Sequence, residues 1–277
     1  MKKYIPLLIL LFTTFSWSQK AEKIKGSKVV TIEKKEIDNF DAIEVNDNIE
    51  VFLEMGEYPQ LKIEADDNLH SIIDVEVDNK TLQLKTTKKA TNFKKLIVRI
   101  IYTKDLNMVV SKDESIINAI QEIQLEEITF KSLNESKLNL NVAVADFLLQ
   151  SDDKSKVELN LKAENATLEL SKNASLKALI NSDNLNCDLY QKAKVNLEGD
   201  VNYAKVRLDN NADFLGQNLV LKNCDLIAES YSNCSINSDA TLNIDASGNS
   251  EIKIYGDQKI TIKRFTDSAS LLKKPSR

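Results

Sequence analysis

Residues able to do chemistry are scarce in this chain, and the few present are scattered. His70 is the only histidine and falls in Asn68-Leu69-His70-Ser71. A serine–histidine nucleophile pair needs an orienting acid, and a histidine metal site needs more than one imidazole. His70 is therefore expected as a surface loop residue. Polysaccharide-cleaving enzymes set two carboxylates about one scissile bond. The acids that could do so are Asp152-Asp153, Asp183, Asp188, Asp209, Asp213 and Asp225. They share no common spacing, which points to solvated turn aspartates. Asp66-Asp67 and Asp152-Asp153 lack the dense oxygen-ligand spacing of a calcium loop. A glycan platform would draw on Tyr190, Tyr203, Tyr231 and Tyr255, but their intervals of 13, 28 and 24 residues do not align them. The sequence holds no Gly-rich phosphate loop and no Cys-x-x-Cys. The expected catalytic, metal and cofactor-binding residues are therefore none, no cofactor is expected, and the ligand-binding residues are unknown.

The elements that would carry any site are set by a repeat. Leu138, Val157, Leu176, Val195 and Phe214 follow one another at 19-residue steps. Two positions before each stands a small residue: Ser136, Ser155, Ala174, Ala193 and Ala212. The pattern is read onward as Cys234–Ile236 and Ser250–Ile252. A second register runs through Phe130, Leu149, Leu168, Cys187 and Val206 at the same step, then Leu226 and Leu242. A fixed period with strand-like alternation predicts a stacked solenoid. Each unit reads as two short strands about a polar turn, and the crossover rule makes the coil right-handed. The small residue follows the turn, where a large side chain would clash. Asn173, Asn211, Asn233 and Asn249 are expected to share one turn position and to stack as an amide ladder. With six Gly and three Pro in 277 residues, the turns must rely on Asn, which tolerates the left-handed conformation.

Residues 1–18 read as a secretory signal. Lys2 and Lys3 are followed by an apolar run over 5–12, too short to span a bilayer, and by the small-x-small site Ser16-Trp17-Ser18. The mature chain then starts at Gln19, and its net charge moves from −5 to −7. Such an acidic protein is a poor partner for nucleic acid or anionic lipid. No later segment is apolar enough to cross a membrane as a helix. Cys187, Cys224 and Cys234 read as small buried hydrophobes. Cys187 and Cys224 would lie about two rungs apart, roughly 9–10 Å, too far to bridge.

In chain order, residues 19–28 form a polar, mobile lead. Over 29–102 the alternation of Ile43, Val45, Ile49, Val51, Leu53, Leu61, Ile63, Val75, Val77, Leu82 and Leu84 predicts a mostly antiparallel meander. Leu96 to Tyr102 is nearly all apolar and reads as a strand buried on both faces. Residues 115–127 have some helical spacing in Ile116, Ile120 and Ile123, but Ser115 and Ile117 fit the repeat, so a strand is preferred. The domain expectation is one β domain over 29–256. It comprises antiparallel capping strands over 29–104 and solenoid repeats over 105–256. Residues 257–277 follow as a C-terminal cap, through Ile260 and Ile262, and a loose tail.

These segments resemble a family of exported bacterial proteins, the putative auto-transporter adhesin, head GIN domain. The resemblance is carried by Phe40-Asp41-Ala42-Ile43-Glu44-Val45 and Ile49-Glu50-Val51-Phe52-Leu53. It continues through Leu61-Lys62-Ile63-Glu64-Ala65-Asp66-Asp67-Asn68-Leu69, Thr81-Leu82-Gln83-Leu84 and Ser247-Gly248-Asn249-Ser250-Glu251-Ile252-Lys253-Ile254-Tyr255-Gly256. It covers roughly residues 40–256 and implies a β-helix-like fold and an exported location. The turns here hold fewer Gly and Ser than the family pattern.

The expected fold class is thus all-β, a right-handed parallel β-helix of about 19 residues per coil behind an antiparallel cap. The expected function is an exported, non-enzymatic binding or structural module of the cell envelope, in the periplasm or at the cell surface. Its partner would be a glycan or protein of the envelope or the extracellular space. The alternative is a carbohydrate-active enzyme, lyase or hydrolase, on the same scaffold. Self-association through the solenoid edges is a third expectation.

Overall fold

An alternating sequence can bury one face of a strand only against another sheet, and a chain of such strands can do so against itself by coiling. The computed structural model describes residues 22–275. The signal reading of residues 1–18 lies outside the described residues. The chain runs through β1 (Lys23–Lys25), β2 (Val30–Glu36), β3 (Ala42–Val45), β4 (Glu50–Met55), β5 (Gln60–Asp66), a 3-10 helix (Asp67–Ile72), β6 (Ile73–Asp78), β7 (Thr81–Thr86), β8 (Lys89–Thr91), β9 (Leu96–Tyr102) and β10 (Met108–Ser111). Seven long strands follow: β11 (Ile116–Ser132), β12 (Lys137–Ser151), β13 (Lys156–Leu170), β14 (Ser175–Leu189), β15 (Lys194–Leu208), β16 (Asp213–Ala228) and β17 (Asn233–Ala246). The chain closes with β18 (Glu251–Tyr255), β19 (Lys259–Phe265) and β20 (Ser270–Lys273).

Consecutive long strands pair in parallel from β10 to β18, and the stack makes about 9 turns of roughly 19 residues. The inward alternation changes phase once within a strand. In β13, Val157, Leu159 and Leu161 are buried, then Ala166, Leu168 and Leu170. A phase change of one residue turns the opposite side of a strand inward, so the strand bends between the two sets and lines two walls of its coil. Phe130 and Phe147 meet inside at 6.1 Å between ring centroids, and Phe214 is fully buried.

The small residues after the turn form the expected inward line. Ser115, Ser136, Ser155, Ala174, Ala193, Ala212, Ser232 and Ser250 are all buried. Lys194 N–H donates to Ala174 C=O at 3.0 Å, Asp213 to Ala193 at 2.9 Å and Asn233 to Ala212 at 2.9 Å. In the early coils these serines face a second inward serine across the turn. The Ser111–Ser115, Ser132–Ser136 and Ser151–Ser155 hydroxyl oxygens are 2.7, 2.9 and 2.7 Å apart. From Leu170 onward the facing residue is apolar. Each turn has a left-handed residue at one position: Asp113, Asn134, Asp153, Lys172, Gln191, Asn210, Ser230 and Gly248. The shortage of glycine is thus met with residues that accept some local strain.

Three sequence readings need correction. Cys234 pairs with Phe214 and Ile244 with Leu226, so the small residue of that coil is Ser232, and neither Cys234–Ile236 nor Leu242 continues its register. The coil after Ala212 is 20 residues long and the next 18; a slip of two preserves alternation, so periodicity cannot detect it. The solenoid also begins before residue 105. β3 lies parallel to β10 and β7, and β4 parallel to β11 and β9. Hairpin strands inserted between β4 and β10 interrupt the period there. Finally, neither end is loose as far as it is described. Lys23–Lys25 pairs with Lys89–Thr91, and Asn68 ties it down by accepting from Ser27 N–H and donating to Lys25 C=O. Ser270–Lys273 pairs with β18 because Leu271 continues the column of Ile252.

The cap is antiparallel where it leaves the stack: β5 against β9, β2 against β5 and β6 against β7. Asp66, fully buried, accepts backbone N–H groups of Lys28, Lys94 and Lys95 at 2.8–3.1 Å. Glu64 beside it is held by Lys95 at 3.0 Å, Lys62 at 3.1 Å and Arg99 at 3.4 Å, which pull its carboxyl down to about 2. A carboxylate more acidic in the folded state stabilises above its unfolded value near 4.5 and loses that contribution as pH falls towards 2. Partly exposed lysines screen the interaction, so about 1–2 kcal/mol is at stake. Thermal melts at pH 7 and pH 2.5 should show wild type losing that much more than Glu64→Gln; equal losses would remove Glu64 as a cause.

At the other end, β19 lies parallel to β17, with Ile260 over Leu242 and Ile262 over Ile244. Ile260 and Ile262 stay 39% and 51% exposed. They extend the apolar columns without closing them, since among the described residues no further coil covers them.

Candidate functional site

Stacking at a near-constant step places the outward side chains of successive coils over one another, so each outer wall is a grid of columns and rows. Amide columns form on it. Asn139 donates to Asn118 at 2.8 Å, Asn160 to Asn141 at 3.0 Å, Asn165 to Asp146 at 2.8 Å and Asn184 to Asn165 at 3.0 Å. These ladders stand on the strands and at the bends. The ladder expected of Asn173, Asn211, Asn233 and Asn249 does not form. Lys192 and Tyr231 interrupt that turn position, and Asn233 belongs to a strand, where its amide donates to Asp213 at 2.9 Å.

Most of the candidate acids are committed to neighbours in this way. Asp183 accepts from Asn202 at 2.7 Å. Asp209 accepts from the Ser230 hydroxyl at 2.6 Å. Lys172 reaches both Asp152 and Asp153, at 3.0 and 2.8 Å. Burial would raise the Asp152 carboxyl, but the Ser171 hydroxyl and the Lys172 ammonium hold it below its ordinary value. Cys187, Cys224 and Cys234 are buried and unbridged, and burial pushes each thiol up, away from the reactive thiolate. Among the described residues no three His, Cys, Asp or Glu side chains gather as metal ligands.

His70 is held in the 3-10 helix, not in an open loop. The Thr31 oxygen lies 2.9 Å from its Nε2, and a Glu33 oxygen lies 3.2 Å from its Nδ1. Hydroxyl, imidazole and carboxylate therefore stand in a row, which the sequence hid because Thr31 and Glu33 come some 40 residues earlier. A hydrolytic site also needs a concavity and converging N–H donors. Thr31 and Glu33 are exposed on β2, which among the described residues pairs only with β5. The Thr31–His70 hydrogen bond ties the helix to that strand.

Asp188 and Asp225 remain, and they meet at a concavity. A groove of about 370 Å³ crosses the outer wall of β14 to β17. One column along it is Asn186, Lys205, Asp225 and Asn243; the next is Asp188, Arg207, Ile227 and Asp245. With Lys263, three carboxylates face three cations. The Tyr203 hydroxyl donates to Asp225, and Asn243 donates to it at 2.7 Å; both bonds hold the Asp225 carboxyl low, and the bond to Asp225, with burial, raises the phenol to about 12. Burial, and then the charge of Glu169, raises Asp188. Lys205 Nζ is 5.9 Å from the Tyr203 ring centre, and the Arg207 guanidinium 5.8 Å from that of Tyr190. The two tyrosines thus belong to one wall, on adjacent coils. A search along columns alone separates them, and mixed charge within each column leaves no compositional signal. A second concavity of about 390 Å³, with Lys177 and Leu179, lies on another wall.

The family model described as "Putative auto-transporter adhesin, head GIN domain" matches residues 39–179 and 155–257. The chain is similar to the solved structure of a putative adhesin from Parabacteroides merdae, at 20% identity and TM-score 0.68, covering 92% of this chain and 100% of that one. A putative adhesin from Parabacteroides distasonis gives 17% and 0.69, covering 90% and 99%. A putative lipid binding protein from the same species gives 15% and 0.58, covering 92% and 98%. At these identities the likeness shows the fold. No curated protein matches the chain.

Proposed function

This chain belongs to the putative auto-transporter adhesin, head GIN domain family, and from that premise we propose that it is an exported, non-enzymatic binding module of the bacterial cell envelope. The observation that carries the reading is the outer wall itself: polar columns tied coil to coil on a packed solenoid, a rigid surface for recognition. Preorganised side chains lose little freedom on binding. The partner is a glycan or protein met in the periplasm or at the cell surface. Lipid binding in the interior, a reading that the name of one structural relative, a putative lipid binding protein, would suggest, would find that space already filled by Phe130, Phe147 and Phe214.

The test is to incubate labelled residues 19–277 with intact cells and with envelope fractions, and to assay the same protein on polysaccharides. Saturable retention without release of sugar ends is expected. Turnover of a polysaccharide would replace this reading with a carbohydrate-active enzyme, and retention on neither cells nor fractions would end it.

A further inference from the structure

Resting on that reading, we infer that the groove across β14 to β17 is a binding site for an uncharged glycan. The first observation is a gap in the hydrogen bonding. Many Asn and Asp side chains on the walls are bonded to the coil above or below; Asn181 and Asp200, at a different concavity, are among those that are not. At the β14–β15 end of this groove Asn186, Asp188 and Lys205 make no side-chain hydrogen bond or ion pair among the described residues, although Asn186 lies directly over Lys205 and Asp188 over Arg207. Groups left free in a concavity are those a ligand can satisfy. Together they offer an acceptor, a three-proton donor and an amide that does both, which is the set that sugar hydroxyls require.

The second observation is charge. Asp188, Asp225 and Asp245 offset Lys205, Arg207 and Lys263 across the lining, so no field of one sign gathers a polyanion or polycation. The third is the frame. Tyr203 stands by the bend, and Tyr190 stands in the turn column of Asp209, six residues along the strand from Tyr203. That is roughly 20 Å of wall at 3.3 Å per residue, room for several pyranose rings. Tyrosine supplies rigid amphipathic contact area at both limits, and exposed Ile227 offers an apolar floor between them.

Residues 19–277 should be tested on an array of neutral, uronate-containing and sulfated glycans, at low salt and at roughly 0.5 M salt, where surface attraction is screened. Neutral glycans should be retained at both. Asn186→Ala and Lys205→Ala should each weaken their binding about tenfold or more. Both should melt close to wild type, because neither side chain makes a hydrogen bond or ion pair among the described residues and Lys205 gives up only its 5.9 Å contact with the Tyr203 ring. Lys177→Ala, at the concavity on the other wall, should bind as wild type. Retention of acidic glycans alone, lost at high salt, would overturn the inference, as would neutral-glycan binding untouched by both groove substitutions. A protein that still binds envelope but no neutral glycan ends this inference and leaves the binding-module reading intact. Failure to bind either ends both.

Discussion

Leu168→Asp should leave the protein unfolded, or cost it more than about 3 kcal/mol. Leu168 is fully buried in the column Leu149–Leu168–Cys187–Val206. The neighbours that would receive the carboxylate are apolar on the coils above and below, and among the described residues no Lys or Arg is buried to pair with it. The loss adds to the leucine's own burial, about 1.5–3 kcal/mol. Circular dichroism melts of the purified variant give the answer. A melt like that of wild type would mean that this position faces solvent.

Gly199→Ala carries the second large effect, through the backbone. Gly199 occupies an inward column, Val142–Leu161–Ile180–Gly199–Leu219, where every other member is a large apolar residue. Its φ is +114°, and a Cβ built there would lie 2.1 Å from the Ile180 carbonyl oxygen. That oxygen belongs to the neighbouring coil's backbone and cannot swing aside. One residue before, the register with β16 shifts between Asn196 and Glu198, so the glycine lets the chain depart from the 19-residue step. Strain and overlap together should cost about 3 kcal/mol or more, read as a fall in the urea midpoint. An unchanged midpoint would show that the coil does not pass so close to its neighbour.

The stack was legible where each coil copied the last. Ala174, Ala193 and Ala212 shared a position and a step, and the structure puts them in one buried line. Residues 116–127 are strand as expected, within β11, with Ser115 just before it. Legibility failed where geometry changed without disturbing alternation, as at Cys234 and Ile244. It failed again at β3 and β4, whose places in the stack are separated from the next coil by inserted hairpins. The groove was hidden for another reason. Asp188, Lys205 and Asp225 touch no repeat rule, since a pocket on such a wall is defined by neighbours across coils as well as along them. A linear scan treats residues 18–22 apart as distant.

The two ends of the stack are unlike. One is sealed by the antiparallel strands around Asp66 and Glu64, while β19 and β20 leave Ile262, Phe265 and Leu272 in contact with water. A rod whose layers cling only to adjacent layers loses them most readily from the unsealed tip. Heat or a protease should therefore peel this molecule from its carboxyl end, shortening it layer by layer. The grooved wall of β14 to β17, only a few layers from that tip, would go early, long before the sealed end gives way.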